Sequence, residues 1–185
     1  MHITRASIVP IGGLVAFILF LTCIPAANWL IQHVGTVCIP NGPCLIPVAP
    51  NLMAPSGVAL VGLALVLRDV VQRCLGKSAS LIAIAIGTLL SALIAPPALV
   101  IASAAAFFLS EAVDFAVYTP LAQRRLIMAV IVSSMIGLVI DSVVFLSLAF
   151  QSLDYLTGQV VGKTWAVLIS IPFIRLLRRA APTPA

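Results

Sequence analysis

Long apolar runs, each close to a bilayer in length, follow one another along almost the whole chain, and that succession leaves few folds open. A span needs about 20 apolar residues. The runs cover residues 8–31, 53–72, 78–95, 98–121, 126–150 and 158–177. With 62% hydrophobic and 8% charged residues, the chain could not cover itself with polar surface in water; a soluble domain carries about a quarter charged residues. The expected fold is an all-α membrane protein of six transmembrane helices, forming a single transmembrane domain over residues 1–185. Ile8 to Cys23 is long for the apolar core of a signal peptide, and no small-x-small cleavage site follows, so the first run reads as a retained span.

The basic residues set an orientation. Arg5, Arg68, Arg73, Lys77, Arg124, Arg125, Arg175, Arg178 and Arg179 all fall on one side if the N-terminus is inside, which is nine of the ten Lys and Arg. Only Lys163 lies toward the other side. By the positive-inside rule both termini are cytoplasmic, and the chain is a multi-pass protein of the cytoplasmic (inner) membrane. The net charge of +5 therefore marks membrane flanks, and nucleic acid is not an expected partner. Trp29 and Trp165 near the outer interface and Tyr118 near the inner one fit an aromatic belt.

The outer segment 36–52 is uncharged, and with Pro55 it brings five prolines within twenty residues, which forbids a regular helix. Asn41-Gly42-Pro43 reads as a turn between Cys38 and Cys44, which pair if the loop faces an oxidising compartment and otherwise remain two free thiols. Pro96-Pro97 ends the third span, Gly76 suits a helix C-cap, and the tail 178–185 reads as disordered. Gly158 and Gly162 form a GxxxG pattern, read as a helix-packing surface.

The residues able to carry chemistry are the acids inside the spans. An acid at the centre of a span costs roughly 2.5–3.5 kcal/mol, so such residues pair, line a cavity or bind something. Ser103, Phe107, Ser110, Glu111, Asp114 and Tyr118 recur at helical steps and make one polar and aromatic stripe. Ser134, Gly137, Asp141 and Phe145 make another on the next span. Facing each other, the two stripes would line a binding cavity; the competing reading is that the acids only lock helices, paired with Arg68 or Lys163. Asp69 and Arg73, spaced i, i+4, suit a surface ion pair, with Arg68 one residue deeper and within reach of the interior; the alternative is a functional role for Arg68 or Asp69. Lys163 either snorkels outward or pairs with an inward acid such as Asp141. No Walker loop, dinucleotide fingerprint, HExxH or nucleophile elbow occurs, so neither an enzyme nor a cofactor is expected, and the chain has no ATPase motif of its own.

The segments GLALVLRDVVQRCLGK from Gly62, FFLSEAVDFAVYTPL from Phe107, SSMIGLVIDSVVFLSLAF from Ser133 and the Gly162-Lys163 pair resemble the VUT family, six-span vitamin-uptake-type transporters known as queuosine precursor transporters. The resemblance runs from about Pro55 to Arg175. It implies uptake of a 7-deazaguanine base such as 7-cyano-7-deazaguanine for tRNA modification, and a fold similar to the substrate-binding subunits of energy-coupling-factor transporters. A carboxylate accepts the two adjacent N–H donors of a guanine-like edge in the geometry it offers to arginine. Glu111 and Asp114 are the expected edge readers, with Asp141 a second acceptor or a lysine partner. Ser110, Ser134, Arg68 and Lys163 complete the expected site, and Phe107, Phe115, Tyr118 or Trp165 offers a stacking ring. The alternatives are a helix-locked pore or scaffold with no small-molecule substrate, or a subunit that needs a separate ATP-driven module; the energising partner is left open.

Overall fold

The structure, a computed structural model, describes residues 5–40, 42–95 and 100–180, with side chains for all of these except 5–10 and 173–180. Its elements in chain order are α1 (Arg5–His33), β1 (Val37–Cys38), β2 (Cys44–Ala49), β3 (Leu52–Pro55), α2 (Val58–Leu75), α3 (Lys77–Ile94), α4 (Val100–Ala122), α5 (Leu126–Phe150) and α6 (Leu156–Ala180). Within the described residues, the stretches Ile11–His33, Lys77–Ile94, Val100–Ala122 and Leu126–Phe150 are long and apolar enough to cross a membrane. Their outward side chains are apolar: Leu14 and Ile18 on α1, Leu81, Ile82 and Leu89 on α3, and Ile101 and Phe108 on α4 are all exposed. An apolar exterior of this extent has lipid as its solvent.

Helix α2 is the centre of the bundle and touches all five other helices. Everything from Ala64 to Gln72 is buried, on every face of the helix. That position resolves the conflict between its charges and the membrane, because Arg68 and Asp69 meet protein rather than lipid. Phe20, Val71, Ala83 and Phe107 tie α1, α2, α3 and α4 together, with the Phe20 and Phe107 rings 5.9 Å apart. Leu65, Tyr118, Leu138 and Val167 tie α2, α4, α5 and α6. Gly76, at φ +92°, makes the sharp connection from α2 to α3, a backbone conformation that strains any residue with a Cβ.

The proline-rich segment is not an irregular loop. It folds as a three-stranded antiparallel sheet in the order β1-β2-β3. Pro47 is accommodated on β2 because β1 pairs only with Cys44 and Leu45, so the strand has a free edge at Pro47, beside a register shift between Pro47 and Ala49. Cys38 and Cys44 face each other across the first pair of strands and are joined as a disulfide. Because β3 takes residues 52–55, the second helix begins at Val58 rather than at 53. At the far end α6 runs to Ala180, into the stretch read as a disordered tail; 181–185, Asn41 and Pro96-Pro97 lie outside the described residues.

The sheet sits on one end of the bundle. Ser56 Oγ donates to Leu30 O at 2.7 Å, and Trp165 Nε1 donates to Val48 O at 3.2 Å. The GxxxG pattern of α6 serves this contact as much as helix packing. A Cβ on Gly158 would run into Met53 O, and one on Gly162 would meet Val48 and Val58. Gly158→Ala is therefore expected to force α6 away from β3 and cost about 1–3 kcal/mol, the usual range for overpacking. The check is the melting temperature of the purified variant in detergent; a value equal to wild type would show that the strand yields freely.

Candidate functional site

Two connected polar regions occupy the bundle interior. One is a hollow of about 730 Å³, its mouth included, in the half of the bundle nearest the sheet. All six helices contribute to its wall. Glu111 comes from α4, Asp141 and Phe145 from α5, Gln159 and Lys163 from α6, and Phe107 and Ser110 from α4 one turn and one residue before Glu111. The mix of apolar wall with a few polar groups is the usual make-up of a small-molecule site.

Lys163 is buried and spends all three ammonium protons on protein. It donates to Asp141 Oδ2, to Ser142 Oγ at 2.8 Å and to Gln159 Oε1 at 2.7 Å. It therefore does not snorkel; it joins α5 to α6 and fixes the side chains beside it.

The second region lies deeper along α2. Arg68 is fully buried and faces three carboxylates: Nη1 is 2.9 Å from Asp69, Nε is 3.1 Å from Glu111 and Nη2 is 2.7 Å from Asp114. The planar guanidinium fork suits such multiple pairing. Its Nη1 also donates to Gln72 Oε1 at 3.3 Å, and Gln72 donates onward to Thr119 Oγ1 at 2.9 Å. Tyr118 lies under the guanidinium, with the ring centroid 5.6 Å from Cζ. Glu111 belongs to both regions: Arg68 holds its Oε2 while the residue lines the hollow.

The expected residues divide accordingly. Glu111, Asp141, Ser110, Phe107 and Lys163 line the hollow. Asp114, Tyr118, Ser134 and Arg68 do not; Asp114 is completely buried against Arg68, and Ser134 is buried beside it in sequence to Ser133, whose hydroxyl reaches 3.5 Å from Asp69. Phe115 is half-buried and Trp165 is exposed, both away from the hollow. Asp69, read as half of a surface pair, is instead buried against Arg68. Phe145 supplies a second ring to the wall, and Gln159 was missed. Its signal was the i, i+4 spacing to Lys163, which places a polar side chain on the same buried face of α6.

Residues 93–177 match the family model described as "Putative vitamin uptake transporter". Over this segment, a little under half of the chain, the sequence is similar to that family. The match takes in α4, α5 and most of α6, with Glu111, Asp114, Asp141, Gln159 and Lys163, and it leaves Arg68 and the sheet outside. The likeness supports a multi-pass membrane protein of the uptake-transporter type, in keeping with the long apolar helices. No curated protein and no solved structure matches the chain.

Proposed function

We propose that this chain is an importer of the inner membrane that binds a 7-deazaguanine base, such as 7-cyano-7-deazaguanine, in the hollow and carries it to the cytoplasm. The observation that supports this reading most is the convergence of Glu111 and Asp141, from different helices, on one sheltered hollow with Phe107 and Phe145 in its wall. Arg68 takes one oxygen of Glu111 and leaves Oε1 for a ligand. That oxygen can accept an N–H of a guanine-like edge, while the phenyl rings lie against the flat heterocycle.

Six spans with both ends in the cytoplasm follow from the distribution of the basic residues. In that orientation the sheet end is outside, so the hollow faces the side from which the base arrives. The helix-lock reading has its own support in the ion pairs of Asp114 with Arg68 and Asp141 with Lys163. The two readings differ at Glu111, which both pairs and faces the hollow.

Uptake of labelled 7-cyano-7-deazaguanine into cells that cannot synthesise it is the direct measurement. Wild type is expected to restore uptake. Glu111→Gln keeps the shape but replaces one acceptor oxygen with an amide donor, so it should lower uptake by about tenfold or more. Normal transport by Glu111→Gln together with Asp141→Asn would remove the acids from the mechanism.

A further inference from the structure

The hollow has a defined donor as well as its acceptors. An ammonium can only donate hydrogen bonds, so the atom of Gln159 that meets Lys163 Nζ at 2.7 Å must be the carbonyl oxygen. The amide orientation is thus set by chemistry. Lys163 cannot turn away, since its other two donors are engaged by Asp141 and Ser142. The NH2 group of Gln159 is left with no described protein acceptor, on a residue that is 3% exposed and lines the hollow.

From this geometry we infer that Gln159 is a specificity-determining residue: its amide N–H, held in place by Lys163, reads the ring carbonyl oxygen of a 6-oxo base and rejects a 6-amino base. The inference rests on the base-binding reading above and adds to it. A guanine-like edge presents one acceptor, the carbonyl oxygen, beside two donors, the ring N–H and the exocyclic amine. A site with an N–H donor on one side and carboxylate oxygens of Glu111 or Asp141 on the other is complementary to that order. A base with an amino group in place of the oxygen sets donor against donor and leaves a carboxylate facing a ring nitrogen lone pair. A site built around polar partners excludes such an analogue strongly, because its own buried groups are then left unpaired. Lys163 acts through Gln159 and is a positioning residue.

The experiment compares binding of 7-cyano-7-deazaguanine with that of its 6-amino counterpart, by calorimetry on the purified full chain in detergent. Wild type should prefer the 6-oxo base by about tenfold to a hundredfold. Gln159→Glu keeps an oxygen for Lys163 and presents a second oxygen to the hollow, so the preference should shrink or reverse. Asp141→Asn with Lys163→Met removes both charges and frees the amide to rotate, so the ratio of the two affinities should fall toward one. A role confined to stability would leave that ratio unchanged. Equal wild-type affinity for both bases, or an unaltered preference in Gln159→Glu, overturns the inference while the base-binding function stands. Binding of neither base by folded wild type overturns both. The wild-type comparison needs no variant to fold.

Discussion

Arg68→Met is expected to destabilise the protein by about 3–5 kcal/mol, the scale on which breaking a buried ion pair leaves an uncompensated charge. Here the effect concerns three carboxylates. Asp69, Glu111 and Asp114 converge on one guanidinium inside a bundle that has lipid outside it. Removing that group leaves the acids without the one guanidinium that pairs with all three. The measurement is thermal unfolding in detergent, where a loss of this size lowers the midpoint by roughly 10 °C in a chain of this length. Arg68→Lys should recover only part of the loss, because a single ammonium cannot reproduce the fork that meets separate acids through Nη1, Nε and Nη2. Arg68→Met combined with Asp69→Asn and Asp114→Asn should recover more. Wild-type melting of Arg68→Met would mean that the acids carry no charge that Arg68 must balance. The same substitution releases Glu111 Oε2, so uptake should fall even in a variant rescued for stability.

The helices were legible because lipid imposes a simple demand. Every backbone group must be satisfied within the bilayer, and long apolar runs have one common solution. The sheet was not legible. Five prolines exclude a helix but do not say which strand edge each can occupy, and Pro47 is accommodated only because β1 is two residues long. In the interior, the helical stripe on α4 groups Glu111, Phe107 and Ser110, which line the hollow, with Asp114 and Tyr118, which do not. A stripe gives the face of a helix and not the depth. Asp114 lies one turn further along α4, where it meets Arg68 rather than the hollow. Asp69 was misread for a related reason. Its spacing to Arg73 suits an exposed helix face, but α2 has no exposed face at that level.

Lys163→Met should cost about 3–5 kcal/mol on its own, and Asp141→Asn added to it should restore most of that loss. The argument turns on what each change leaves behind. Lys163→Met strands a buried carboxylate and withdraws the donor from Ser142 and Gln159. Adding Asp141→Asn removes the stranded charge and leaves only neutral groups. A double-mutant cycle on unfolding free energies isolates the coupling between the two residues, expected at more than about 1.5 kcal/mol for contacting side chains in one network. Coupling near zero would show that the contact between α5 and α6 does not depend on the pair. Measured alongside uptake, the cycle separates a lock from a site. If the pair only held helices together, the restored double variant would transport as wild type does. Because Asp141 lines the hollow and Lys163 sets the amide of Gln159, stability should return while uptake stays low. A divergence between the two readouts would place the pair at the ligand as well as between the helices.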